Sequence, residues 1–399
     1  MSLSRVALLG GASLLALAAP ADAAKLTVGQ GGLATIQDAV DAALLNADPA
    51  DTILVPAGDY VETVVVAFGV SGQESLSIRR QGKGAVNLTG ATGPALRLNG
   101  AWNVAVEDLT LTSSSALDGI PALLIDGSSR DATFRNVRGA AGDDVGVAVF
   151  GSGTVGVTMI DCDFSGMASV GFQLDGVGHR LVGCVADQCA FNAFLLTDQS
   201  LLCELINCSS DAGGLDGGSF TGTCSVLGSG HRLRKVKIRN SGLDGFYVDG
   251  QGHVLEKCSA TDNLDDGFEC DTAQSTFVDC SATGNGDGWA GGGLGALVRG
   301  GNFSGNADHG VRVTSGGTVL SDVSAAANGG DGVHVAAAAI GVRVTDSTFK
   351  KNGGEGVRVQ GQVAWVEGNV GKGGDGFADE GTGNHGRDNK AKAGATNDF

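Results

Sequence analysis

The chain has 399 residues, a formal net charge of −18, 42% hydrophobic residues and 68 glycines. Such acidity excludes nucleic acid as a partner. Glycine at this level without a Gly-x-y period indicates turn-dense β structure rather than collagen, and no apolar run after the first 20 residues or so is long enough to span a bilayer.

Residues 1–23 read as a secretory signal peptide. Arg5 supplies the positive start, Val6–Ala18 the apolar stretch and Ala21-Asp22-Ala23 the small-x-small cleavage site. The mature protein is therefore expected outside the cytoplasm, secreted or periplasmic. Thr35-Ile36-Gln37-Asp38 opens a helix over residues 35–47 with an N-cap and an acid three positions on. Its apolar stripe, Ile36, Ala39, Val40, Ala43 and Leu44, suits a lid over the open end of a stacked-strand fold. Asp51-Thr52-Ile53-Leu54-Val55-Pro56-Ala57-Gly58 then gives a strand ending in a turn.

From there the chain is periodic. Pro94-Ala95-Leu96, Pro121-Ala122-Leu123, Gly146-Val147, Gly171-Phe172 and Ala193-Phe194 mark early, longer units. A phrase of acid (His309 in one unit), glycine and apolar residue then returns at Gly245, Gly267, Gly288, Gly310, Gly332, Gly356 and Gly376, about every 22 residues. After each glycine the pattern has period two, as in Val311-Arg312-Val313 and Val333-His334-Val335, which is a short strand with one buried face. No stretch between units is long enough for a helical crossover. Strand, turn, strand, turn in about 22 residues is one rung of a parallel β-helix, and roughly 13 rungs are expected. Three columns follow: an inward apolar face carrying Cys162, Cys184, Cys208, Cys258 and Cys280; an Asn ladder at Asn263, Asn306, Asn328 and Asn352; and an outward face. The glycine is expected to take positive φ, and the acid before it to bond its own turn. Nine Cys in an exported chain leave at least one unpaired or paired with another chain, with Cys189, Cys203 and Cys224 the best placed to pair.

The segment from Thr35 to Val40, followed by Asp51–Gly58 and Asp59-Tyr60-Val61-Glu62, resembles the opening of the pectin-lyase-like superfamily. The resemblance, with the repeats, covers nearly all of the mature chain. It implies an all-β right-handed parallel β-helix over 24–378 with an N-terminal amphipathic capping helix, and a polar tail or cap over 379–399. It is specific for fold and weak for activity. The superfamily's polygalacturonase signatures are mostly missing: Asp143-Asp144 and Asp265-Asp266 are present, but only Asp308-His309-Gly310 and a reversed Lys237-Ile238-Arg239 stand where Gly-His-Gly and Arg-Ile-Lys would be.

Chemistry is sought on the outward strand column, Tyr247, Glu269, Ala290, Arg312, His334, Arg358 and Ala378. Arg312, His334 and Arg358 on successive rungs form the smallest set for β-elimination: two guanidiniums to hold a uronate carboxylate and an imidazole to take the proton α to it. Tyr247 and Glu269 extend the column as substrate-binding residues. Asp262, Asp265, Asp266, Glu269 and Asp271 form the densest acidic group and the candidate Ca²⁺ site, although the spacing is not an EF-hand loop. Gly-His-x-Leu recurs at His179, His231 and His253, with Cys203 in the same position. This is a Zn²⁺ column or simply a copied repeat residue. The basic run His231–Arg239 faces an anionic glycan or keeps a strand soluble. Two functions remain open. One is a secreted monomeric protein that binds an acidic polysaccharide and cleaves it by β-elimination. The other is a non-catalytic structural or adhesive surface protein, which a cleft in the longer rungs between Gly142 and Phe220 would count against.

Overall fold

The structure, a computed structural model, describes residues 24–45, 50–67, 75–114, 119–213, 222–271, 273–391 and 395–399. The signal-peptide assignment falls outside these residues. Every strand pairing among them is parallel. Three sheets run along the molecule, of 14, 18 and 8 strands. The 14-strand sheet counts the turns: it begins at Val64–Val66 and ends at Phe377–Asp379, one strand per rung. The expected 13 or so rungs are thus about 14. No described helix is long and apolar enough to cross a membrane.

The period-two pattern sets the register. Phe246, Phe268, Trp289, Val311, Val333, Val357 and Phe377 succeed one another on the inner face of the 14-strand sheet, all fully buried. Like stacks on like: the Phe246 and Phe268 rings lie 4.8 Å apart and nearly parallel. The Asn ladder is present and longer than expected. Nδ2 of Asn263 donates to Asn285 at 2.8 Å, Asn285 to Asn306 at 3.2 Å, Asn306 to Asn328 at 3.1 Å, Asn328 to Asn352 at 3.0 Å, and Asn352 to Asp375 at 3.0 Å. Asn285 lies three residues before its glycine instead of four, so the spacing rule passes over it.

The repeat glycines are glycine for a different reason than the sequence suggests. None of Gly245, Gly267, Gly288, Gly310, Gly332, Gly356 and Gly376 has positive φ. A Cβ on Gly310 would instead lie 2.6 Å from the carbonyl oxygen of Gly332 and 2.7 Å from Ala325 Cβ. The column is a close approach between rungs. The acids before these glycines also bond between rungs, not within their own turn. The N–H of Asp266 donates to Asp244 at 2.8 Å, that of Asp287 to Asp266 at 2.8 Å, that of His309 to Asp287 at 2.8 Å and that of Glu355 to Asp331 at 2.7 Å.

The helix forms over Ile36–Leu45, inside the expected 35–47. Thr35 and Asp38 cap each other, side chain to backbone, at 2.9 and 3.0 Å. Glu62 accepts the N–H groups of Ile36 and Gln37. Gln37 then uses its amide to pair with both backbone groups of Val65, which blocks the free edge of the 14-strand sheet. At the other end the solenoid does not stop at residue 378: His385–Arg387 pairs with Trp365–Glu367, so the tail adds a strand as well as a cap. All nine cysteines are buried and none is in a disulfide, including Cys189, Cys203 and Cys224, so none of the expected pairings forms.

Candidate functional site

The outward column of the 14-strand sheet is arranged in the expected register. Tyr247, Glu269, Ala290, Arg312, His334, Arg358 and Ala378 are successive Cα partners. Arg312, His334 and Arg358 therefore do come together on three adjacent rungs. Their partners change what they can do. Asp331, 3% exposed, takes Nδ1 of His334 at 3.0 Å, Nε of Arg358 at 3.1 Å and the Glu355 N–H. Burial alone would push its carboxyl up, but His334, the Glu355 N–H and Arg358 together hold it below the usual carboxylate range. Arg358 also reaches Glu380 at 2.5 Å. Arg312 Nε sits 2.5 Å from Asp287 Oδ2 but off the N–H axis, an ion pair rather than a hydrogen bond. Both guanidiniums are thus already held by carboxylates. What the column presents is His334: an ionised Asp331 can only accept, so Nδ1 donates to it, and Nε2 has no hydrogen-bond partner among the described residues. The His309 ring stacks on His334 with centroids 4.6 Å apart, and its Nδ1 accepts the Asp331 N–H at 2.9 Å.

Glu269 and Tyr247 join the column two and three rungs up from Arg312, each half-buried. Burial first, and then the charges of Asp249, Asp271 and Glu269, push the Tyr247 hydroxyl up to about 12. Glu269 hydrogen-bonds Asp244, whose carboxyl burial and that bond push up to about 9.

Six rungs from Arg312 along the same column, roughly 30 Å away at the ordinary strand spacing, lies a feature whose residues the sequence did not name, in the longer rungs where a cleft was looked for. Gln173 and Leu195 are successive members of the outward column. Around them opens a cleft of about 870 Å³, with Phe191 and Leu227 on its apolar side and Asp175, Thr197, Asp198 and Gln199 on its polar side. The strands here are long: Val170–Val177 and Phe194–Leu201 are each 8 residues. Asp175 is fixed by the Thr197 hydroxyl at 2.6 Å and the Gly151 N–H at 3.3 Å. The apolar side continues into a small external cluster of Val145, Ala148, Val170 and Leu195, buried although it lies outside the main core. The size is that of a small-molecule or oligomer site, and no Lys, Arg or His lines it.

Comparison with known proteins bears on the fold. Residues 221–370 match a family described as right handed beta helix region. The chain is a right-handed parallel β-helix. No curated protein matches this β-helix in sequence. Among solved structures, the Agl-KA catalytic domain superposes with a TM-score of 0.50 at 9% identity, covering 87% of this chain and 69% of that one. A mannuronic acid specific polysaccharide family 6 lyase from human gut microbiota gives 0.49 at 12%, covering 88% and 86%. The A-module of a mannuronan C-5 epimerase from Azotobacter vinelandii gives 0.41 at 14%, covering 90% and 94%. At these identities the likeness is one of fold.

Among the described residues, two groups bring three ligand atoms within 4.8 Å of one another: His309, Asp331 and His334, and Asp244, Asp265 and Asp266. The second contains two of the five carboxylates expected at a Ca²⁺ site. Asp265 and Asp266 meet Asp244, to which Glu269 is bonded. Asp262 stands apart in a left-handed corner (φ 54) after the strand Ser259–Thr261, and Asp271 bonds Tyr247 on the far side of the strand Phe268–Cys270. The five do not converge on one point. The buried carboxyl of Asp266 is itself pushed up to about 7 by burial.

His179, His231 and His253 are fully buried corner staples. Nδ1 of His179 accepts the Val157 N–H, that of His231 the Cys203 N–H and that of His253 the His231 N–H, at 3.1 to 3.3 Å. The other ring nitrogen is occupied too, at the Asp175 carbonyl, the Ser200 hydroxyl and the Asp249 carbonyl. With both nitrogens used, the column holds backbone, not Zn²⁺. Burial, then the neighbouring His253, pushes His231 down to about 3. The folded pKa lies below the unfolded value, so the stability is complete above about pH 6.5 and is lost as pH falls toward 3. At about 1.4 kcal/mol per pH unit, His231 alone should cost about 3 kcal/mol at pH 4 relative to pH 7. Urea unfolding of wild type and His231→Gln at both pH values measures this: the stability difference between the two proteins should shift in favour of the variant at pH 4, and an unchanged difference would contradict it.

Proposed function

We propose that the protein binds a polysaccharide along the exposed face of the 14-strand sheet, anchored in the cleft around Gln173, Phe191 and Leu195, and that it does so outside the cytoplasm as a monomer. The observation that carries this reading is the cleft itself. It combines an apolar wall with carboxylate, amide and hydroxyl groups that can accept from and donate to sugar hydroxyls. It is continuous with a flat strip of outward residues long enough to take several sugar units. Its lining carries Asp175 and Asp198 and no cation, which favours a hydroxyl-rich glycan over a uronate at this end.

A second reading, cleavage of an acidic polysaccharide by β-elimination, has one observation in its favour: the His334–Asp331 pair, with Nε2 free of partners among the described residues to act as the base. A uronate carboxylate there would have to displace Asp287 from Arg312 or Glu380 from Arg358. Incubation with uronate polymers separates the readings, since cleavage gives an unsaturated product that absorbs in the ultraviolet and His334→Ala should abolish it.

Binding is tested on a glycan array followed by titration of the best ligand. Gln173→Ala and Phe191→Ala should each weaken it about tenfold or more, roughly 1.4 kcal/mol, with unfolding midpoints near wild type for Gln173→Ala. No glycan bound, or wild-type affinity in both variants, would overturn the proposal.

A further inference from the structure

The corner between the 18-strand and 8-strand sheets repeats a left-handed residue on every rung. The position is occupied by Asp161, Gly183, Asn207, Lys235, Lys257 and Asp279 in succession, all with positive φ. Asp, Asn and Gly tolerate this conformation; a long side chain does so at a cost. Throughout the described part of this column every other residue is Asp, Asn or Gly, and the two lysines are adjacent. Lysine at φ 55 and φ 54 on two neighbouring rungs is a backbone penalty taken twice in one place.

The two amines do not stand alone. Lys237, two residues after Lys235 on the next strand, points from the same corner, and the three lysines line a pocket of about 280 Å³ floored by Asn207 and Ser209. All three are exposed. The acids nearby are few. Glu256 is shared at 4.0 Å between Lys257 and Arg234, and Asp211 is taken by Arg239 at 3.5 Å. Lys235, Lys237 and Arg232 have no acidic partner among the described residues. In a chain of net charge −18 this is a local reversal of sign. It lies on a different face from the cleft.

We propose that Lys235, Lys237 and Lys257 form an anion-binding site for a sulfate or phosphate ester group carried on a glycan. Three convergent ammonium groups act as point charges around a small oxyanion, and the Asn207 amide and Ser209 hydroxyl add neutral donors. The site is independent of the cleft, so either can fail without the other.

Chromatography of the full mature chain on sulfated dextran, phosphorylated cellulose and plain dextran tests it. Wild type should be retained on the first two despite its acidity, be released by salt, and pass through the third. The double variant Lys235→Asn/Lys257→Asn restores the residue type the corner otherwise uses. It should lose retention and unfold at a higher temperature than wild type. Lys350→Gln/Lys372→Gln removes the same charge elsewhere and should be retained as wild type is. Retention on only one charged matrix identifies sulfate or phosphate as the group and supports the site. No retention of wild type on either charged matrix, equal retention of Lys235→Asn/Lys257→Asn, or equal loss in Lys350→Gln/Lys372→Gln would overturn it.

Discussion

Asn306→Ala should destabilise the protein by about 4 kcal/mol. The side chain makes four hydrogen bonds inside the solenoid: Oδ1 accepts from the backbone and the side chain of Asn285, and Nδ2 donates to the Ala282 carbonyl and to Asn328. Each such bond contributes about 1 kcal/mol net, and a buried group left without its partner costs about 1–3 kcal/mol. The truncation leaves the Asn285 amide and the Ala282 carbonyl without their Asn306 partner, in a place with no room for solvent to replace it, since Asn285 and Asn306 are 2% and 3% exposed. Chemical denaturation at neutral pH measures the loss. A cost below about 1 kcal/mol would mean that the ladder is a consequence of stacking and not a support for it.

Gly310→Ala should cost about 3 kcal/mol or more, the upper part of the range for overpacking. The added Cβ would lie 2.6 Å from the Gly332 oxygen, 2.7 Å from Ala325 Cβ and 2.8 Å from Asn328 Nδ2. The Gly332 carbonyl is itself fixed by the Val311 N–H at 3.0 Å, so relief requires two rungs to separate. Gly341→Ala, at a left-handed turn with open space around its Cβ position, is the control: its cost comes from φ alone and should be about 1 kcal/mol. Equal costs at the two positions would show that conformation, not close approach, explains the repeat glycines.

The contrast between these glycines explains what was legible in the sequence. A period near 22 and a period of two fixed the fold and the register, because both are written in hydrophobicity and hydrophobicity decides which way a strand faces. Arg312, His334 and Arg358 could be aligned on one column for that reason. Their partners could not be read, because Asp287, Asp331 and Glu380 belong to other positions of neighbouring rungs, and nothing local shows that the acid ahead of a glycine will reach the next turn. The same limit misassigned the glycines: turn chemistry is a local rule, and here contacts 21 to 24 residues away decide. Asn285 was missed by one residue of spacing. The cleft could be placed among the longer rungs, but its residues could not be read. It is made by rungs 22 to 30 residues long between Val170 and Val226, where the phrase fades and the outward residues Gln173, Leu195 and Ser225 carry no common signal. The candidate metal residues were chosen by density along the chain, and in a solenoid density along the chain is not nearness in space.

The central claim is that a glycan occupies the cleft on the 14-strand face. A crystal structure of the protein with its tightest-binding oligosaccharide tests it most directly. The account predicts sugar rings against Phe191 and Leu227, with hydroxyls bonded to Asp175, Gln173 or Gln199, and the chain extending along the column toward Tyr247. A bound oligosaccharide on either of the other sheets, with the cleft empty, would contradict it.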